Sequence, residues 1–114
     1  MTNDALYPWL VLVPRRDGLV EILDLDAEAR SRLMEEIALA AGALKGAAPC
    51  DKLNVAALGN QVAQLHVHVI ARTRGDPAWP RPVWGAVPAR PYDGARRDAL
   101  VAGLRSPLLS PEGS

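Results

Sequence analysis

The chain has 114 residues, enough for one domain around a single hydrophobic core and too few for a second. With 49% hydrophobic and 23% charged residues it falls outside the disordered class, and a formal net charge of zero argues against a nucleic-acid or anionic-membrane surface while leaving small nucleotides open. A single cysteine, Cys50, rules out an intrachain disulfide and thiolate-rich metal spacings, and no export signal or membrane-length apolar run is visible, so a cytoplasmic protein is expected.

Residues 7–13, Tyr-Pro-Trp-Leu-Val-Leu-Val, form a continuous apolar run that predicts a buried strand. Pro8 stands at its start, where a missing donor costs little, and Pro14 with the charged turn Arg15-Arg16-Asp17-Gly18 closes it. Asp24 or Asp26 then caps a long amphipathic helix in which Leu25, Ala29, Leu33, Ile37, Ala41 and Leu44 recur at helical spacing, up to the stop at Lys45-Gly46. Its charged face carries Glu28, Arg30, Arg32, Glu35 and Glu36. Cys50 reads as a small apolar residue ahead of a strand. Residues 52–58 predict that strand, and Gly59-Asn60-Gln61 breaks it before a histidine-bearing strand with which it forms an antiparallel hairpin.

Past Arg72, the prolines at 77, 80, 82, 88 and 91 with Gly85 forbid regular structure over about twenty residues. A loop of that length in a small domain points to function or to an interface. Trp79 and Trp84 within it suit either base stacking or core cover, and Arg72, Arg74 and Asp76 are better placed to fix the loop than to do chemistry. Residues 93–104 predict a short helix, and residues 106–114 a flexible tail, leaving a single domain over 1–105.

Residues 64–70, Gln-Leu-His-Val-His-Val-Ile, hold the only two histidines. Strand alternation puts Gln64, His66, His68 and Ile70 on one face, with the two histidine β-carbons about 6.6 Å apart. Three readings compete: hydrogen-bonded strand residues, a His-x-His metal site short of further ligands, or nucleophilic catalysis at phosphorus. In the last, one imidazole attacks while its neighbour and nearby amides hold phosphoryl oxygens.

The run Gln64-Leu65-His66-Val67-His68-Val69-Ile70, followed by Ala71-Arg72 and Arg74-Gly75-Asp76, resembles the His-φ-His-φ-His-φ-φ signature of the histidine triad (HIT) superfamily, φ being apolar. Leu12-Val13-Pro14-Arg15 resembles the family's strand ending in Pro-Arg or Pro-Lys, and the stretch from residue 3 to 84 is similar to a bacterial diadenosine tetraphosphate hydrolase-like subgroup. The resemblance implies an α+β fold with an antiparallel sheet, one long helix and a short C-terminal helix. It further implies a homodimer, and a nucleotide hydrolase or nucleotidyl transferase that needs no cofactor or metal and acts on diadenosine polyphosphates or nucleoside phosphoramidates. By position it makes His66 the nucleophile and His68 a phosphate contact, and it puts Asn60 on phosphate or leaving-group oxygens. Asn54 falls where relatives carry nucleotide-binding amides, and Asn3 and Asp4 fall near the strand that reaches the ribose.

Two positions depart from that pattern. Gln64 replaces the first histidine and cannot titrate, which alters leaving-group preference or leaves a catalytically weak nucleotide-binding protein. Trp9 stands near the place where many relatives carry an additional histidine, with no other imidazole to replace it. Relatives also carry a further strand or hairpin ahead of Asn3-Asp4, so a truncated start, or a sheet completed differently, is expected.

Overall fold

The computed structural model describes residues 4–86, 88 and 90–109. Asn3 lies outside these residues, as do 110–114 of the expected tail. Strands β1 (Trp9–Leu12), β2 (Lys52–Ala56) and β3 (Val67–Arg72) combine with helices α1 (Ala27–Ala47) and α2 (Gly94–Leu109) and a 3-10 turn at Ile22–Asp24. The sheet order is β1-β3-β2, with β3 antiparallel to both neighbours. This is the expected α+β fold with one long helix.

Every residue of β3 is buried because the strand is central and both its faces are covered. On one face Val69 and Ala71, with Leu10, Leu12 and Leu53 from the flanking strands, pack against Ala43 and Leu44 of α1 and Leu104 of α2. Burying each of the larger side chains contributes about 1.5–3 kcal/mol. The opposite face of β3 carries His68, Ile70 and Arg72, and pairing sets Trp9 beside Ile70 and Val11 and Ala56 beside His68. Tyr7, Ala78 and Val83 cover the Ile70 end of that face.

Helix α1 starts where Asp26 accepts a hydrogen bond from the Ala29 amide at 2.8 Å, which selects Asp26 over Asp24 as its cap. Asp24 instead accepts from the Val20 and Glu21 amides at 2.9 and 2.8 Å and closes the preceding turn.

Several boundaries differ from the sequence expectation. The histidine strand begins at Val67, not at Gln64, since pairing with β1 stops at Leu12↔Val67, just before Val13-Pro14, and the Leu65 amide bonds to the Leu19 carbonyl instead. The β2–β3 connection therefore spans residues 57–66 and is no tight hairpin turn. The first strand covers only Trp9–Leu12, although the Ala71 amide still reaches the Pro8 carbonyl at 2.9 Å. Helix α2 runs past the expected stop to Leu109, with Pro107 in its last turn.

The segment after β3 is held by Arg72. Its guanidinium grips Asp76 through two bonds, Nε to Oδ2 at 2.7 Å and Nη2 to Oδ1 at 3.0 Å, and its Nη1 donates to Asn54 Oδ1 at 2.9 Å. Asp76 in turn accepts from the Thr73, Ala78 and Trp79 amides. Burial alone would push the Asp76 carboxyl up; the bonds from Arg72 and from the Trp79 and Thr73 amides outweigh it and hold its pKa below the usual range. Arg72 and Asp76 thus fix the loop, as their residue types suggested.

Candidate functional site

The site sits at the open end of the β3 face that the helices leave free. His68 belongs to β3 and is 9% exposed. His66 precedes the strand but keeps the same side, and the two ring centroids stand 5.0 Å apart. The expected juxtaposition of two imidazoles is present.

Each ring is oriented by one identifiable partner. His66 Nδ1 lies 2.6 Å from the Gln64 carbonyl oxygen, which can only accept, so Nδ1 carries a hydrogen, and in the neutral ring the lone pair is on Nε2. Trp9 donates its indole Nε1–H to His68 Nδ1 at 2.9 Å. An indole N–H can only donate, so His68 Nδ1 is the acceptor and its hydrogen sits on Nε2. The two neighbours are in opposite tautomers. One presents a lone pair at Nε2 and the other a donor. Burial, and to a lesser extent the nearby His66, push the His68 pKa below its ordinary value, which favours the neutral ring.

Trp84 completes the wall. Its ring is edge-on to His68 at 5.1 Å and to Trp9 at 5.5 Å, and it remains 39% exposed. Between it and the loop after β2 opens a concavity of about 340 Å³ lined by Leu58, Gly59, Asn60, Gln61, Val62, His66, His68 and Trp84. Gly59 adopts a φ of +86°, a left-handed conformation that turns the chain toward Asn60 and that a side chain would strain.

The sequence-derived residues divide. Asn60 joins His66 and His68 in this concavity. Gln64 lines a smaller recess of about 140 Å³ on the other side of His66, with its amide 3.4 Å from the Arg16 carbonyl. Its backbone carbonyl, more than its side chain, acts on the histidine pair. Asn54 shares the histidine face of the sheet but is engaged by Arg72. Asp4 is buried, with Oδ1 accepting from the Leu6 and Arg90 amides at 3.1 and 3.2 Å, so it ties the N-terminal segment to the chain ahead of α2. The two loop tryptophans part company: Trp84 borders the concavity, whereas Trp79 stacks under the Arg72 guanidinium at 5.7 Å. Trp9 is the residue whose role sequence reading missed; only the register that aligns it with Ile70, beside His68, reveals it.

A central antiparallel strand with one imidazole on it and a second just ahead of its start, backed by one long helix, defines the class. The HIT domain matches residues 1–75, and the chain belongs to that family. Solved histidine triad proteins resemble it closely. That of Bradyrhizobium japonicum is 53% identical with a TM-score of 0.90, over 93% of this chain and 79% of that one. That of Sinorhizobium meliloti is 43% identical with a TM-score of 0.88, over 93% and 78%. A third, from Marinobacter aquaeolei, is 46% identical with a TM-score of 0.87, over 96% and 80%. No curated protein matches the chain. Family membership points to nucleotide binding and to hydrolase or transferase chemistry in general. Among the described residues no helix is long and apolar enough to cross a membrane, and no group of three or more His, Cys, Asp and Glu side chains is placed to hold a metal ion.

Proposed function

We propose that the chain is a cytoplasmic, metal-independent nucleotide hydrolase or nucleotidyl transferase that works through a nucleotidyl-histidine intermediate on His66. Its substrates are nucleoside phosphates of the diadenosine polyphosphate or nucleoside phosphoramidate type, and Gln64 makes it a variant of the triad. The observation that carries this reading is the 2.6 Å contact between His66 Nδ1 and the Gln64 carbonyl, which makes Nε2 the attacking nitrogen of the neutral ring, on a residue lining the concavity.

In the first step Nε2 attacks the α-phosphorus. A P–N bond forms, the bond from phosphorus to the leaving group breaks, and its electron pair departs with that group. The imidazole becomes cationic, and the Gln64 carbonyl against Nδ1–H stabilises that charge. His68 donates Nε2–H to a phosphoryl oxygen, and the Asn60 amide meets a second. Water or another acceptor then attacks phosphorus and gives up its proton to solvent, while the bond from phosphorus to Nε2 breaks with its electron pair on nitrogen and His66 leaves as the neutral ring. Trp84, at the mouth, offers a face for the base.

Incubation with diadenosine tetraphosphate and with adenosine 5′-phosphoramidate, with and without chelator, tests the reading. Turnover of at least one, unchanged by chelator and abolished in a folded His66→Ala variant, is expected. Nucleotides that raise the melting temperature with no turnover would instead define a binding protein.

A further inference from the structure

His68 poses a question that the nucleophile reading leaves open, namely whether it supplies a proton or only a hydrogen bond. Its Nδ1 accepts the Trp9 indole N–H at 2.9 Å, so its one hydrogen is on Nε2. Giving that hydrogen away would leave an imidazolate anion on a side chain only 9% exposed, which is prohibitively costly. To act as an acid the ring must first become the cation, with a hydrogen on Nδ1 as well. That hydrogen would point at the indole N–H, donor against donor, because indole has no acceptor to offer.

We infer that Trp9 is a positioning residue that fixes the leaving-group class of this site: it locks His68 as a hydrogen-bond donor with no proton to transfer, and so selects nucleotides whose leaving group departs as a stable anion. The inference rests on His66 as nucleophile and narrows the substrates of that reaction. In a phosphoric anhydride, the P–O bond breaks with its electron pair on a phosphate or polyphosphate oxygen, and no proton need follow. In a phosphoramidate the P–N bond must break toward an amine, which needs a proton at nitrogen that His68 does not hold. The surroundings agree. Trp9 from β1, Ala56 from β2, Trp84 and the loop residues Leu58, Asn60 and Val62 carry no titratable group, leaving His66 as the titratable neighbour among the described residues. Burial and His66 both push His68 away from its cationic form.

The test compares kcat/KM for diadenosine tetraphosphate and adenosine 5′-phosphoramidate in the wild-type protein across pH, and reads the His68 tautomer by ¹⁵N NMR. Since general-acid assistance is worth about 10²–10⁴-fold, phosphoramidate turnover is expected about a hundredfold below anhydride turnover. The NMR should give Nε2–H for His68 throughout the active pH range. Trp9→Phe, which keeps an aromatic ring but removes the donor, should narrow the gap by about tenfold and add an acid-dependent limb to the phosphoramidate profile. Equal turnover of both substrates by the wild type, or an Nδ1–H signal at His68, overturns the inference while leaving His66 untouched. Activity that survives His66→Ala overturns the nucleophile reading itself, and the leaving-group inference with it. The wild-type measurements stand even if Trp9→Phe fails to fold.

Discussion

At the scale of single residues, the site is decided by which nitrogen carries each hydrogen. Two chemically identical side chains, His66 and His68, present different nitrogens because one faces a backbone carbonyl and the other an indole N–H. Asn60 is the third member, brought to the concavity by the left-handed Gly59. If its amide meets charge developing on phosphorus, Asn60→Ala should lower kcat by about 10²-fold with a smaller change in KM, the size found when a single donor to a developing oxyanion is removed. A loss confined to KM would place Asn60 in ground-state binding instead. The histidine pair was legible in the sequence because the alternation of the run puts the rings on one side, and His66 keeps that side although the strand itself begins at Val67. The engagement of Asp4 and Asn54 was not, because their partners Arg90 and Arg72 lie 86 and 18 residues away and no local pattern names them.

At the scale of elements, the long helix could be read from its periodicity and the three strands from short apolar runs bounded by turn residues. The start of β3 could not. Gln64, Leu65 and His66 continue the alternation, and what ends the ladder is β1, at Val13-Pro14 on another segment. The loop after β3 owes its order to the Arg72–Asp76 pair, whose side chains are 2% and 4% exposed. Asp76→Asn should cost about 3–5 kcal/mol, measured by urea unfolding, because it leaves a buried guanidinium without its counter-charge. The pair also sets an acid limit. The folded pKa of Asp76 lies below its unfolded value of about 3.9, so its stabilisation is complete above roughly pH 4 and is lost as pH falls through the folded value. The wild type should therefore lose stability below that pH more steeply than Asp76→Asn, whose side chain does not titrate.

At the scale of the whole molecule, a sheet of three strands among the described residues sorts its two faces by function: one takes the helices and the apolar core, and the other takes the rings and the loop that closes on them. The strands at both margins, β1 and β2, each have one neighbour, and such margins invite pairing with another chain. We propose a homodimer on that ground and from the family resemblance; sedimentation at twice the 12.2 kDa chain mass is expected, and a monomer at micromolar concentration would refute it. We propose that His66 attacks phosphorus. Mixing protein and diadenosine tetraphosphate for milliseconds, quenching in base to preserve a phosphorus–nitrogen bond, and mapping the product by mass spectrometry tests it most directly. An adenylyl group on His66, and none in His66→Ala, is expected. Steady turnover with no adduct in the burst phase, or an adduct on another residue, would contradict it.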